Sequence, residues 1–355
     1  MKQLIINPGS TSTKIAVYKD ESMIFEKTIR HTTEELHSFV KVTDQFQFRK
    51  EMIIQALNEN NIYLDELDSV VGRGGLLKPI EGGTYAVNDN LMEDLKNNFK
   101  GEHASNLGAL LAHSIAEEVN IPSFIVDPVV VDELEEVARI SGHPEFERTS
   151  IWHALNQKAV ARRAAQEKFG KKYEEMNFVV AHLGGGISVG AHKKGKVIDV
   201  NNALNGEGPF SPERSGTLPT SQLVKLCFSG KYSEAQIQKI IAGKGGISAH
   251  LGTNNAKEVS DRANAGDERA KLIYSAMAYQ VAKAIGEYAV VLDGNVDAIL
   301  ITGGIAYDKS FVKMIEEKVK FIANVISYPG EDELLALAQG GLRVLNCVEE
   351  SKNYI

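Results

Sequence analysis

Runs of apolar residues alternate with short polar or glycine-rich turns along this chain, and their spacing predicts both strands and helices. Strand-like apolar runs occupy residues 3–18, 23–30, 68–77 and 122–131. Helix-like spacing of apolar residues occurs at residues 45–60, 88–100, 106–119, 153–170 and 267–292. The charged turn Lys19-Asp20-Glu21 joins the first two strand runs, which predicts an antiparallel hairpin.

The apolar opening of the chain is interrupted by a polar turn, and this arrangement recurs later. "INPGSTSTKIAVY" (residues 6–18) and "NFVVAHLGGGISVGAHKKGKVIDV" (residues 177–200) share one order: an apolar strand, a small polar turn and a second apolar strand. The two copies lie roughly 175 residues apart, near half the chain length. The repeat predicts that one domain has been duplicated.

A turn of glycines and hydroxyl residues can bind an anion, because backbone N–H groups and Ser or Thr side chains converge there. A single turn of this kind usually only reverses the chain. Here two such turns occupy equivalent places in the repeat, and a third glycine-rich turn follows a strand in "AILITGGIAYDKSF" (residues 298–311). Together the turns predict that a polyphosphate is held from both sides.

Composition narrows the possible partners. The chain has 355 residues, 43% of them hydrophobic, and is long enough for two domains that each bury a core. Its formal net charge is −8 at pH 7 with no long cluster of Lys and Arg, which argues against binding to nucleic acid or to an anionic membrane. No run of about 18 apolar residues is present, so no membrane span is predicted.

Cysteine usage and the N-terminus indicate the compartment. Cys227 and Cys347 lie far apart and form no CxxC pair, so neither a zinc site nor a disulfide framework is expected. The first apolar run is cut by Asn7-Pro8 and is too short for the core of a signal peptide. A reducing cytoplasm is therefore the predicted location.

Taken together, the motifs resemble those of the acetokinase family of carboxylate kinases, within the actin/sugar-kinase/Hsp70 superfamily. Residues 6–18 resemble the first phosphate motif of the family, "VVAHLGGGISVGAH" the second, and "AILITGGIA" the adenosine motif. "NGEGPFSPERSGTLP" (residues 205–219) is similar to a substrate-side loop in the branch of the family that acts on butyrate and branched-chain fatty acids. The resemblance covers nearly the whole chain.

The resemblance implies the fold. It implies an α/β chain of two duplicated ribonuclease-H-like domains with mixed sheets and a nucleotide cleft between the domains. The expected N-terminal domain, residues 1–150, carries the first phosphate motif and the carboxylate-substrate contacts, and a helix at the extreme C-terminus is expected to pack on it. The expected C-terminal domain, residues 151–355, carries the second phosphate motif and the adenosine motif.

The resemblance also implies the site, residue by residue. The residues expected to contact ATP, chiefly at its phosphates, are Asn7, Ser10, Ser12, Lys14, Gly184, Gly185, Gly186, Ser188, Gly303, Gly304, Asn254 and Asn255. The residues expected at the reacting groups are Arg73, Asp127, His182 and Arg214. Lys14 stands where acetate kinases usually have arginine, which keeps the charge but removes the planar guanidinium fork.

The expected substrate pocket contains Ala181, His103 and Asn106. Ala181 stands where acetate kinases carry a bulky phenylalanine, so an acid longer than acetate is expected to fit. Each buried methylene contributes about 0.8 kcal/mol, which favours butyrate or a branched acid but does not rank them.

Magnesium is the cofactor that the resemblance implies. Its expected ligands are Asp127, Glu331 and Asp332. "PGEDELLALAQGG" is similar to an Asn-Glu-Glu turn of the family, and it leaves open which of Glu331, Asp332 and Glu333 serves the metal. Whether manganese can replace magnesium stays open as well.

The implied reaction is reversible phosphoryl transfer between ATP and a short-chain fatty acid, giving ADP and an acyl phosphate. A carboxylate is already ionised at neutral pH and needs no general base. The enzyme must instead position two anions for direct in-line attack and stabilise the charge on the transferred phosphoryl group. Arg73, Arg214, His182 and a magnesium ion suit that task.

Two other functions remain open. A sugar or hydroxyl kinase of the same superfold would need an aspartate base, for which Asp127 is the candidate, although two substrate-side arginines fit an anion better. A non-catalytic module switched by nucleotide would be expected to carry a further binding domain or tail. The preferred acid and the physiological direction stay open, and the resemblance favours a homodimer or a higher homo-oligomer.

Overall fold

Groups of strands and groups of helices follow one another along the chain. The computed structural model describes residues 1–99 and 101–355. Its strands, in chain order, are β1 (Lys2–Pro8), β2 (Ser12–Lys19), β3 (Ser22–Arg30), β4 (Ser69–Arg73), β5 (Thr84–Ala86), β6 (Ser123–Val126), β7 (Asn177–Leu183), β8 (Ile187–Lys193), β9 (Lys196–Val200), β10 (Ala298–Gly303), β11 (Val325–Pro329) and β12 (Lys352–Asn353). Its α-helices are α1 (Thr33–His37), α2 (Phe46–Asn58), α3 (Asp89–Lys96), α4 (Asn106–Glu117), α5 (Glu136–Arg139), α6 (Ala154–Phe169), α7 (Thr220–Cys227), α8 (Glu234–Ile241), α9 (Gly246–Leu251), α10 (Ala256–Asn264), α11 (Glu268–Val291), α12 (Lys309–Val319) and α13 (Glu333–Leu345).

Local signals explain where several predicted helices begin and end. The Asp267 side chain accepts a hydrogen bond from the Ala270 amide and so caps the start of α11. Gly170, at a φ of 60°, ends α6 in the left-handed conformation that glycine adopts without strain. The predicted helix 88–100 ends at Lys96, and its last predicted residue, Lys100, lies outside the described residues.

The chain divides into two compact units. The first comprises Met1–Val131 and Asp332–Ile355, and the second comprises Asp132–Glu331. Helix α13 packs on β1, β4 and β6 of the first unit. The segment from residue 132 to residue 150 therefore belongs to the second unit, whereas the sequence analysis assigned it to the N-terminal domain.

Buried and half-buried charges explain the place of that segment. The Glu133 carboxylate accepts hydrogen bonds from Lys158 Nζ at 2.9 Å and from the Val197 amide at 2.7 Å. Arg148 forms an ion pair with Asp199 at 2.9 Å. These partners lie more than 20 residues further along the chain. The spacing of apolar residues therefore could not predict these contacts.

Both units are built on mixed sheets. Among the described residues the first unit has a seven-stranded sheet in the order β12-β5-β6-β4-β1-β2-β3, and the second a five-stranded sheet in the order β11-β10-β7-β8-β9. In each sheet an antiparallel three-stranded meander continues into parallel strands: β1 pairs with β4, and β7 with β10. Both meanders carry a register shift between their second and third strands, at Val17/Tyr18 and at Ala191/His192. This correspondence agrees with the predicted duplication.

Helices cover both faces of the central strands in each unit. A Cβ on Gly72 would meet the Gly108 carbonyl of α4, while Val71 lies against Gly341 of α13. Since neighbouring strand residues point to opposite faces, α4 and α13 lie on opposite sides of the first sheet. The predicted nucleotide cleft between the domains stays a prediction.

The central strand of the second sheet is apolar on both faces. All seven residues of β7 are buried. Phe178 and Val180 pack with α6, and Val179, Ala181 and Leu183 pack with α11. A continuous apolar run is typical of a strand covered on both sides. Within the described ranges, no helix combines the length and the apolar character that crossing a membrane requires.

Candidate functional site

The first glycine-hydroxyl turn, residues 9–12, joins β1 to β2. The Gly9 amide donates to the Ser12 carbonyl at 2.7 Å and closes the turn. Ser10 and Thr11 are exposed, and among the described residues their amides donate to no acceptor. Free amides beside hydroxyl side chains form a concave set of donors that suits an anion.

Asn7 and Arg73 meet at the carboxyl ends of two parallel strands. Ile6 of β1 lies opposite Gly72 of β4, so the next residues, Asn7 and Arg73, share the same sheet edge. Arg73 Nη1 donates to Asn7 Oδ1 at 3.2 Å and to Glu333 Oε2 at 2.9 Å. Asn7 Nδ2 also donates to Glu333 Oε2, at 2.7 Å. The structure therefore joins two predicted site residues to Glu333, which the sequence analysis kept only as an alternative metal ligand.

Glycine contacts hold the strand that carries Arg73. A Cβ on Gly72 would lie 2.1 Å from the Gly108 carbonyl oxygen, and a Cβ on Gly108 would lie 2.3 Å from that of Arg73. Both distances are shorter than any real contact of that kind, so α4 packs directly on the backbone of β4. The glycine inside an apolar strand was the available sequence signal for this close approach.

Asp127 follows β6 at the same sheet edge. Arg73 lies opposite Val126 in the register, which places Asp127 one residue beyond that pair. The side chain is 1% exposed, and its Oδ1 accepts from the Gly83 amide at 2.7 Å. Its φ of 37° lies in a region that residues other than glycine rarely adopt, and strained backbone of this kind clusters at functional sites.

His103 and Asn106 lie on the loop before α4 and at its start. Asn106 is fully buried; its Oδ1 accepts from the Leu76 amide at 2.9 Å and its Nδ2 donates to Asn98 and Gly101. The Asn106 amide group thus holds the loop that follows Arg73. Burial of the His103 ring and the nearby charge of Arg73 lower the pKa of His103, although part of this side chain is exposed. The assignment of both residues to a substrate pocket stays a prediction.

Lys14 has a partner on the neighbouring strand. Its Nζ lies 2.9 Å from Glu26 Oε1, and both side chains are about 40% exposed. An exposed pair of this kind contributes about 0–1 kcal/mol, so little free energy is needed to release Lys14. Its predicted contact with phosphate stays a prediction.

The second turn, residues 184–186, joins β7 to β8 and lies against Arg214. The Gly184 amide donates to the Gly186 carbonyl at 3.0 Å, and the Gly185 carbonyl accepts from Ser211 Oγ at 2.6 Å. A Cβ on Gly186 would lie 2.0 Å from Arg214 Nη1, so only glycine leaves room for the guanidinium. Arg214 Nη1 also donates to the Ala203 carbonyl, and burial lowers the pKa of Arg214. The structure thus brings together Gly186 and Arg214, which the sequence analysis assigned to separate motifs.

His182 is positioned from the start of α6. It lies on the face of β7 opposite to Ala181, and its Nδ1 lies 2.7 Å from Asn156 Oδ1. The His153 ring stacks on it with centroids 3.8 Å apart, and Glu331 Oε1 lies 3.5 Å from its Nε2. The sequence analysis did not select Asn156 or His153, because their relation to His182 arises only when α6 packs on β7.

Ala181 and Ser188 lie inside the second unit. Ala181 is 0% exposed and packs in the core beside α11, so any effect on substrate size is indirect. Ser188 is also 0% exposed, and its Oγ accepts from Gln157 Nε2 at 2.7 Å and bonds His153 Nδ1 at 2.8 Å. Their predicted roles toward substrate and phosphate stay predictions.

The third turn begins at the end of β10. Gly303 has a φ of 91°, and a Cβ there would lie 2.3 Å from the Leu183 carbonyl oxygen, whereas a Cβ on Gly304 would meet open space. Asn255 caps α10 through its Oδ1, and Asn254 donates to Glu213 at 2.8 Å. The structure therefore gives Asn254 and Asn255 local roles, and their adenine contacts stay predictions.

The carboxylates suit a metal that is shared with a phosphate. Magnesium usually takes one or two protein carboxylates and completes its shell with water and substrate phosphates. Among the described residues no group of three or more His, Cys, Asp or Glu side chains could hold a metal on its own. In the first unit, Glu333 accepts from Arg73, and Asp127 follows β6 at the same sheet edge. In the second unit, Glu331 Oε1 lies 3.5 Å from His182 Nε2. Each unit thus offers one or two carboxylates, the number that suits a divalent metal bound together with a phosphate.

Comparison with known proteins identifies the family of this chain. Residues 148–334 match the family model described as the acetokinase family. The chain is 60% identical to butyrate kinase 1 and 59% identical to butyrate kinase 2 of Clostridium acetobutylicum, with 99% of this chain and 99% of each relative covered. The crystal structure of Porphyromonas gingivalis acetate kinase matches with a TM-score of 0.81 at 20% identity, over 97% of this chain and 99% of that one. This structural match confirms the predicted α/β fold class.

Proposed function

The chain belongs to the acetokinase family, and on that premise we propose that it transfers a phosphoryl group reversibly between ATP and butyrate or a branched short-chain fatty acid, giving ADP and an acyl phosphate. One observation carries the proposal: in each unit an arginine is brought to a residue of a phosphate motif. Arg73 bonds Asn7 in the first unit, and Arg214 lies against Gly186 in the second. Two such arginines suit a reaction in which both substrates are anions.

The carboxylate substrate needs orientation rather than activation. One of its oxygens attacks the γ-phosphorus in line, the bond to the β–γ bridging oxygen breaks, and ADP leaves with that electron pair. Arg73 and Arg214 hold the attacking carboxylate and the equatorial phosphoryl oxygens, and lower the repulsion between the two anions. Asp127, Glu331 and Glu333 are the candidate carboxylates to hold a magnesium ion, which would neutralise charge on the phosphate oxygens.

The orientation of the His182 ring is fixed by two neighbouring residues. Asn156 Oδ1 lies 2.7 Å from Nδ1, and the stacked ring of His153 fixes the plane of the imidazole. With Nδ1 donating to Asn156, Nε2 is the atom that faces a phosphoryl oxygen. These two neighbours fix the orientation of the imidazole toward the group on which charge builds.

A hydroxyl kinase fits the site less well. Such an enzyme needs an aspartate that accepts a proton from the substrate. Asp127 is the candidate, but it is 1% exposed and its Oδ1 already accepts from the Gly83 amide. An acceptor that is ionised before it binds needs no such base, which favours a carboxylate.

The test is a trapping assay. The protein is incubated with ATP, magnesium and single acids from acetate to hexanoate, including isobutyrate and isovalerate, and hydroxylamine converts acyl phosphate into a coloured hydroxamate. We expect more hydroxamate from butyrate and the branched acids than from acetate, and none without ATP. No hydroxamate from any acid would refute the kinase proposal, and a preference for acetate would refute the proposed substrate class.

We also propose a cytoplasmic enzyme without nucleic-acid or membrane partners, present as a homodimer or a higher homo-oligomer. Both cysteines are unpaired and exposed, which suits a reducing compartment. The net charge of −8 disfavours polyanionic partners. Light scattering coupled to gel filtration measures the oligomeric state, and a mass near 38.8 kDa would contradict the proposed assembly.

A further inference from the structure

A buried arginine lies under the first turn. Arg49 of α2 is 0% exposed. Its Nη1 donates to the carbonyls of Gly9 at 2.9 Å and Ser12 at 3.0 Å and to Thr13 Oγ1 at 3.0 Å. Its Nη2 donates to the Ser10 carbonyl at 3.2 Å. One guanidinium therefore binds three of the four carbonyls of the turn.

These bonds determine which way the turn presents its amides. The fourth carbonyl, that of Thr11, accepts from the His31 amide at 3.0 Å. In a trans peptide the C=O and the following N–H point in opposite directions. The Gly9 and Ser10 carbonyls that Arg49 holds belong to the same peptides as the Ser10 and Thr11 amides. Those are the two amides that donate to nothing in the described chain, so Arg49 directs them outward.

Arg49 is surrounded by neutral groups. Gln45 Oε1 accepts from its Nε at 3.0 Å and from its Nη2 at 2.8 Å, and no carboxylate of the described residues forms an ion pair with it. Burial lowers the pKa of His31, the partner of Thr13, to about 4, so this ring is neutral at pH 7. Burial lowers the pKa of Arg49 to about 10, so the guanidinium stays protonated at pH 7.

A buried cation without a counter-ion is costly for the fold. Neutral donors could satisfy the same carbonyls without the cost of burying a charge. The charge is therefore best explained by an anion that binds on the other side of the turn, where the hydroxyls and free amides lie.

We propose that Arg49 is a positioning residue for the phosphates of ATP: it directs the Ser10 and Thr11 amides outward and places a fixed, unneutralised positive charge beneath the turn. This inference rests on the proposed function, because it assumes that the first turn binds nucleotide phosphates. Arg49 itself touches no reacting atom.

Gln45→Glu tests the charge without removing a bond. The new carboxylate keeps the contacts to Arg49 and neutralises the guanidinium, so the fold keeps its stability or gains some. We expect ATP affinity, measured by calorimetry with magnesium, to fall at least about tenfold, equivalent to about 1.4 kcal/mol. AMP lacks the β- and γ-phosphates, and its affinity is expected to change less than about twofold. A role of Arg49 in stability alone predicts wild-type affinity for both nucleotides.

Two Arg49 variants test the geometry. Arg49→Met removes both the charge and the planar guanidinium, whereas Arg49→Lys keeps the charge and removes only the guanidinium. ATP affinity should therefore fall in the order wild type, Arg49→Lys, Arg49→Met. Arg343→Met is the matched control: it removes a partly buried arginine of the same unit that pairs with Glu349, about 15 Å along α13 from Glu333. The control is expected to lower the thermal midpoint without changing the ratio of ATP to AMP affinity.

The outcomes separate this inference from the proposed function. Wild-type protein that forms no hydroxamate refutes the proposed function. Active wild-type protein combined with unchanged ATP affinity in Gln45→Glu overturns only the role of Arg49. Equal losses of ATP and AMP affinity in Gln45→Glu would overturn it too. If Arg49→Met fails to fold, Gln45→Glu still decides the question.

Discussion

The turns at residues 9–12 and 184–186 occupy equivalent places in the two sheets but obtain their positive charge in different ways. In the first turn, residues 9–12, the charge of Arg49 lies beneath the backbone and is bound to its carbonyls. In the second turn, residues 184–186, the charge of Arg214 lies against the glycine itself, and a neutral serine, Ser211, holds a carbonyl. The comparison shows that an arginine can supply positive charge to the same kind of turn from beneath its backbone or from beside it.

The position of the arginine decides which side chains each turn can carry. With its cation behind the backbone, the first turn has space for three hydroxyl residues, and even a Cβ on Gly9 would stand 3.5 Å from the Ser12 carbonyl oxygen. With its cation beside the backbone, the second turn excludes a side chain at Gly186. The hydroxyl-rich and glycine-rich sequences of the two turns are thus two solutions to the placement of one arginine.

Alanine substitutions in the glycines should show the largest contrast. Gly186→Ala forces the Arg214 guanidinium away, so we expect kcat for acyl phosphate formation to fall by about 100-fold, close to the effect of Arg214→Ala. Gly9→Ala meets only ordinary contacts and should change kcat less than about threefold. Steady-state kinetics with butyrate compare the three variants. Equal losses in Gly9→Ala and Gly186→Ala would contradict the contrast between the turns.

His31 should contribute measurably to the loss of stability of the protein at acidic pH. Burial lowers the pKa of His31 from 6.5 to about 4, so the neutral ring is favoured in the folded state. This stability is complete above pH 6.5 and is lost as the pH falls from 6.5 toward 4. Between pH 7.5 and pH 5 we expect a loss of about 2 kcal/mol in the free energy of unfolding, measured in urea.

His31→Gln is the control for that loss. Glutamine can still bond Thr13 but does not titrate, so the contribution of about 2 kcal/mol should be missing from its pH dependence. The same pH dependence in both proteins would show that His31 is not the group responsible.

Lys14 should have the smallest effect. Its exposed ion pair with Glu26 and the buried charge of Arg49 together predict that Lys14→Ala raises the KM for ATP by no more than about threefold. Glu26→Gln releases Lys14 and should leave that KM unchanged or slightly lower. A tenfold rise in Lys14→Ala would mean that Lys14, and not the buried Arg49, supplies most of the charge of the first turn.

Much of the fold could be predicted because its signals are local. The apolar runs of β1, β2 and β7 and the spacing in α2, α4 and α11 each reflect a single element and its burial. Asn7 and Arg73 were assigned to the site by the family resemblance alone. The structure shows why they meet: each ends a strand, and the carboxyl ends of the parallel strands β1 and β4 lie at one sheet edge.

The remaining site residues could not be predicted from local pattern. Arg49 is one basic residue in a helix with ordinary spacing, and the residues it binds in and beside the first turn lie 36 to 40 residues earlier in the chain. Glu333 meets Arg73 across 260 residues, whereas the sequence analysis expected Glu331 and Asp332 as ligands and kept Glu333 as an alternative. Helix packing alone decided which of them reaches the arginine.

By itself, the sequence determined the duplicated order of elements, the three turns and the family, because these depend on side-chain type and short-range spacing. The tertiary structure decided how each turn acquires its charge. Burial selects Arg49 beneath the first turn and the missing Cβ of Gly186 admits Arg214 beside the second. Both depend on distances of a few ångströms between segments far apart in the chain, and those distances exist only once the helices have packed on the sheets.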